Sequence, residues 1–86
     1  MIAMTRAIDE PIVIREMAGG RYPRRFYWRG RDFEVAETGG VWRLLGRWWE
    51  GDDERSFLRV VTSTGVCLDL CHYRSTDQWY VHEVYD

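Results

Sequence analysis

Cys67, Cys71, His72 and His82 are the residues of this chain whose types best suit a metal. Zinc takes such ligands, and four would complete its tetrahedron. Their spacing opposes it. Four residues along a strand separate Cys67 from Cys71 by about 13 Å, whereas two ligands of one ion lie within about 4 Å of each other. Adjacent residues such as Cys71 and His72 also point to opposite faces of a strand. The same separation exceeds the roughly 7 Å Cα limit of a disulfide. Two thiols and no metal site are expected. Neither cysteine sits in a nucleophile elbow or near a phosphate-cradling glycine loop. Asp52-Asp53-Glu54 is a run of adjacent carboxylates that reads as a solvated loop. No catalytic residue and no cofactor are expected, and the chain reads as a binding module rather than an enzyme.

The stronger signal is electrostatic. Between Arg15 and Arg31 lie six arginines (15, 21, 24, 25, 29 and 31) and a single acid, Glu16. That is a local charge of +5 within a chain of net charge -2. Tyr22, Tyr27 and Trp28 are interleaved with them. Arginine with aromatic rings on one β surface holds single-stranded nucleic acid, by phosphate contact and base stacking. The same residue types dominate protein-interface hot spots. Alternatively the arginines pair with nearby acids such as Glu34, Glu37 and the Asp52-Asp53-Glu54 run. The candidate binding surface is Arg24, Arg25, Tyr27, Arg29 and Arg31. A protein partner is favoured over nucleic acid because the net charge gives little long-range attraction to phosphate.

Composition bounds the rest. At 86 residues the chain is expected to be one domain, 1–86, with 1–10 loosely ordered. A core this small needs most of its thirteen aromatic residues, so Trp28, Trp42, Trp48, Trp49 and Trp79 are read as structural anchors. All twelve basic residues are arginine, with no lysine and no asparagine, a pattern that a GC-rich coding sequence produces without functional cause. No apolar run approaches the roughly 20 residues that span a bilayer. Met1 to Glu10 lacks the basic start and apolar core of a signal peptide. A soluble, cytoplasmic protein is expected.

The elements that must position these residues are strands. The first is expected over Pro11 to Met17, with at most a turn of helix before it. Arg24 to Arg29 alternates, with Phe26 and Trp28 on one face and Arg25, Tyr27 and Arg29 on the other. Arg29-Gly30 marks a tight turn. Arg31 to Glu37 places Phe33 and Val35 inward. Thr38-Gly39-Gly40 reads as a break before a short strand from Val41 to Leu45, and 46–56 as a loop. Phe57 to Thr62, Val66 to Tyr73 and Gln78 to Tyr85 complete the set. Consecutive strands with short turns predict an all-β antiparallel meander, closed into a strongly bent sheet or small open barrel.

Tyr27-Trp28-Arg29-Gly30, Gly40-Val41-Trp42, Gly46-Arg47-Trp48-Trp49, Arg55, the Phe57-to-Val61 strand, Trp79-Tyr80 and the closing Val84-Tyr85-Asp86 form a further pattern. From Phe26 onward the chain thereby resembles a small bacterial all-β domain that occurs alone. In related form that domain ends the ImuB-type proteins, polymerase-like components of mutagenic translesion synthesis. The polymerase-like body has no counterpart here, so the resemblance implies no polymerase activity. It implies an accessory interaction role in DNA damage tolerance. Its positions are aromatic residues and glycines, which specify a fold more than an activity.

Overall fold

A computed structural model describes residues 5–44 and 54–85. All regular structure among them is strand: β1 (Thr5–Pro11), β2 (Val13–Ala18), β3 (Tyr22–Trp28), β4 (Arg31–Leu44), β5 (Arg55–Thr62), β6 (Cys67–Tyr73) and β7 (Gln78–Tyr85). They form one antiparallel sheet in the order β1-β7-β6-β5-β4-β3-β2. From β2 to β7 this is the expected meander. Thr5–Pro11 is a strand where at most a turn of helix was expected, and it pairs with β7, not with its neighbour in sequence.

That topology forces the sheet to curl. β1 and β2 occupy opposite edges, yet only Ile12 separates them. Seven strands laid flat, at about 4.8 Å each, would hold the edges nearly 30 Å apart. One linking residue spans two Cα steps, roughly 7 Å. The edges must therefore meet at Ile12, and the sheet closes into a half-barrel. Ile12 N–H donates to the Trp79 carbonyl at 3.1 Å and pins the junction to β7.

Local chemistry shapes the turns. Arg29 and Gly30 both have positive φ, 51° and 76°, and Trp28 faces Arg31 across the ladder. This is the two-residue hairpin whose twist matches its strands. The Thr38-Gly39-Gly40 break does not occur: β4 runs unbroken for 14 residues. Its first residues pair with β3, the rest with β5, and the ladder slips between Thr38 and Val41. Here the glycines sit in a bulge instead of a turn.

Period-two alternation then builds the core. Phe26 and Trp28 of β3 meet Leu58 and Val60 of β5, Leu68 and Leu70 of β6, and Trp79 and Val81 of β7 in one buried cluster. Phe33 and Val35 pack against it from β4. Trp28 and Trp79 are both buried within this cluster. The Trp42 side chain, Trp48 and Trp49 lie outside the described residues. Cys67 and Cys71 share strand β6 and are thiols, Cys71 buried. His72 and His82 each face an aspartate, and among the described residues no three metal-ligating side chains gather. No helix among the described residues is long and apolar enough to cross a membrane.

Candidate functional site

The arginine-rich strand sits where its alternation puts it. Arg25 and Tyr27 face outward from β3, opposite the buried Phe26 and Trp28. Folding brings acids to most of these cations. Arg15 lies 3.2 Å from Asp32, Arg25 3.0 Å from Glu34 and Arg24 3.7 Å from Glu16. The sequence had offered Glu34 as a partner; Asp32 and Glu16 lie within or beside the basic run itself. Arg15, rather than Arg25 or Arg29, stacks on Tyr27, its guanidinium 5.1 Å from the ring centre. Among the described residues Arg21 and Arg31 have no ion pair.

Arg29 has a more structural task. Its Nε and Nη2 donate to the two carboxylate oxygens of Glu10, at 2.8 and 2.7 Å, in the fork geometry that suits arginine to carboxylate. Trp28 Nε1–H donates to the same carboxylate at 3.0 Å, and the Arg29 guanidinium lies 4.8 Å from the Trp28 ring centre. Glu10 belongs to β1 and Trp28 to β3, so the cluster latches opposite sides of the sheet beside the Ile12 junction. No sequence signal identified Glu10, because the pairing spans 19 residues between strands not expected to approach.

The hydrogen bond from Arg29 holds the Glu10 carboxyl below its usual range, with the Trp28 bond and the guanidinium charge adding to it. A lowered folded value means stabilisation that is present above the unfolded glutamate value, about 4.3, and is lost as pH falls through the folded one. Glu10→Gln is therefore expected to unfold at lower denaturant than wild type near about pH 6, and to match it near about pH 3. Urea midpoints at both values check this, and an equal gap at both would refute the latch.

Curling leaves an open side, and a groove of about 440 Å³ runs along it. Met17, Tyr22, Thr38, Leu58, His72 and Trp79 line it, with Arg21 and Asp77 among its charged residues. The His72 and Trp79 rings lie 4.7 Å apart, tilted by 31°. Asp77, in the β6–β7 turn, accepts a hydrogen bond from His72 Nε2 at 2.7 Å and so orients that ring. Ser56 is the cross-strand neighbour of His72. Among the described residues no hydrogen bond joins them, which a nucleophile and its base would share. As it stands, the groove offers an apolar floor, a ring pair held in place, and one guanidinium without an ion pair. Met17, Tyr22 and Arg21 come from the β2–β3 hairpin and the others from β4 to β7, so no local motif could have announced it.

The family described as a domain of unknown function, DUF6504, matches residues 3–86. The chain belongs to this family. Membership covers β1 to β3 as well as the stretch from Phe26 onward, and it assigns DUF6504 the fold described above without an activity. It names no ImuB-type relative and gives no link to such proteins. No curated protein and no solved structure matches the chain.

Proposed function

We propose that this DUF6504 domain is a non-catalytic protein-interaction module that receives an apolar segment of a partner protein in the groove of the half-barrel. The groove itself carries the reading: about 440 Å³ floored by Met17, Leu58 and Trp79, with Tyr22 beside them and Arg21 available to a carboxylate. Buried aromatic anchors beside an arginine are the usual energetic centre of a protein interface. The resemblance to the C-terminal segment of ImuB-type proteins directs the search for that partner toward DNA damage tolerance.

Nucleic acid is the weaker reading because four of the six arginines of the basic run, Arg15, Arg24, Arg25 and Arg29, already face carboxylates. Phosphate binding draws its affinity from uncompensated cations that release counterions.

A photo-crosslinking amino acid at Thr38, on the groove wall, tests the proposal against one at Asp32 on the outer face. A protein captured from Thr38 only, whose purified form binds wild type and loses about tenfold in affinity to Arg21→Glu, supports it. Crosslinking independent of position, or indifference to Arg21→Glu, would sink it. Labelled single-stranded DNA that binds at low salt, and lets go as salt rises from about 50 to 200 mM, would transfer the assignment to nucleic acid.

A further inference from the structure

Val13, Ile14 and Tyr27 are the large apolar side chains left exposed among the described residues, at 54%, 37% and 36%. Val13 and Tyr27 adjoin on the outer face, and Ile14 borders the same edge from the inner face. Val13 and Ile14 are consecutive on β2, and Tyr27 is the cross-strand partner of Val13 on β3. β2 is an edge strand: β3 is hydrogen-bonded along one side, and no described strand is hydrogen-bonded along the other, which at Val13 and Ile14 borders a cleft shared with Gln78 and Trp79. Exposed apolar residues concentrated on an open edge mark a pairing surface.

The order of residues along β2 says what fits it. Read Val13-Ile14-Arg15-Glu16-Met17-Ala18 against a reversed copy of itself, with the two-fold axis between positions 15 and 16. Arg15 then faces Glu16 of the other copy, twice by symmetry, in exchange for or beside the exposed pairs that they make with Asp32 and Arg24 of their own chain. Ile14 faces Met17, and Val13 faces Ala18. In a regular strand this register is forbidden, because residues 15 and 16 would point to opposite faces while facing residues must share one. β2 is not regular. Its pairing with β3 slips between Ile14 and Glu16, which adds a residue at Arg15, and slips back between Glu16 and Met17, which adds one to β3 at Arg24. Arg15 stacks on the outward Tyr27, and Glu16 pairs across the ladder with the outward Arg25, so both lie on the outer face. Ile14 and Met17 pair with the buried Phe26 and Pro23 and share the inner face. The bulge makes the self-complementary register allowable.

We infer that two copies of this chain pair through β2 in an antiparallel, two-fold symmetric dimer with Arg15 of each copy opposite Glu16 of the other. A charged pair at the centre of the edge repels an apolar strand of the wrong sequence and accepts its own complement. Such closed two-fold pairing is the commonest form of self-association. Met17 belongs to both this edge and the groove floor, but the central charges Arg15 and Glu16 do not line the groove, so their variants test the dimer while Arg21→Glu tests the docking reading.

Sedimentation across a concentration series reads the dimer as twice the 10.3 kDa chain mass. Arg15→Glu and Glu16→Arg each turn both central pairs into like charges and are expected to weaken self-association roughly tenfold. Mixed together, the two variants regain attraction at both pairs, and the heterodimer should form at concentrations where neither variant associates with itself. That rescue fixes the register. Wild type that stays monomeric throughout the series, self-association untouched by either substitution, or a mixture that does not associate would each overturn the inference. Concentration-dependent protection of the β2 amides against hydrogen exchange in wild type provides a reading that requires no variant; protection independent of concentration contradicts it.

Discussion

Phe26→Ala is expected to remove about 3–5 kcal/mol of stability, while Arg25→Ala, one residue earlier, should cost less than about 1 kcal/mol. Phe26 is fully buried in the cluster that joins β3 to β5, β6 and β7, and it stacks on Phe33 with ring centres 5.4 Å apart. Truncating it forfeits the transfer energy of the ring and leaves a cavity that strands of a curled sheet cannot collapse around. Arg25 is 58% exposed, as is much of its partner Glu34, and solvent weakens such pairs. For a chain of 86 residues the whole stability is about 4–13 kcal/mol, so the first change alone takes a large share. Thermal unfolding should show the Phe26 variant melting roughly 12–40 °C lower, or unfolded at room temperature. Similar midpoints for the two variants would mean that β3 does not present alternate residues to the core.

The second large effect concerns a carboxylate that the alternation pattern would leave outside. Asp69 lies between the buried Leu68 and Leu70 and faces the convex side, yet it is only 2% exposed. Its cross-strand partner Arg59 donates from Nε to Oδ1 at 3.0 Å, and the Tyr85 hydroxyl donates to Oδ2. Arg59 Nη2 donates in turn to the Tyr85 oxygen at 2.7 Å, and the guanidinium lies 4.5 Å from the Tyr85 ring centre. A buried carboxylate persists only with such partners. Asp69 pushes the Arg59 guanidinium further above its ordinary value, chiefly through the hydrogen bond.

Asp69→Ala takes the acceptor away from the Tyr85 hydroxyl and should cost about 1–3 kcal/mol. The cost stays below that of a fully buried pair because the Arg59 side chain is 47% exposed and can be rehydrated. The cluster also has an alkaline signature. Burial, followed by the hydrogen bond to Asp69 and its charge, pushes the Tyr85 phenol up to about 12. A raised folded value means stabilisation that is complete below the unfolded tyrosine value, about 10, and is lost as pH rises through the folded one. Wild type should therefore lose stability between about pH 10 and pH 12, and Tyr85→Phe should lose less over the same interval. Urea midpoints from about pH 8 to about pH 11.5 check this, and parallel curves for the two proteins would refute it.

What the sequence by itself determined is what depends on neighbouring residues. The period of two put Phe26 and Trp28 in the core and Arg25 and Tyr27 outside, since successive side chains of any strand must diverge. Gly30 announced its hairpin because positive φ is costly for other residues. The same reasoning failed at Gly39-Gly40, where glycine serves a bulge as readily as a turn and only the pairing with β5 distinguishes them. Pairing between distant strands was left to tertiary structure. Thr5 faces Tyr85, a contact across nearly the whole chain, and nothing local in either segment encodes it. From that closure follow the half-barrel, the Glu10 latch on Arg29 and the groove along the open side. The fate of the arginine run was decided there too: its charge was legible in the sequence, but its neutralisation depended on which acids the register brought alongside. Registers are chosen by the summed burial and hydrogen bonding of the closed sheet, a quantity that no short stretch of residues contains.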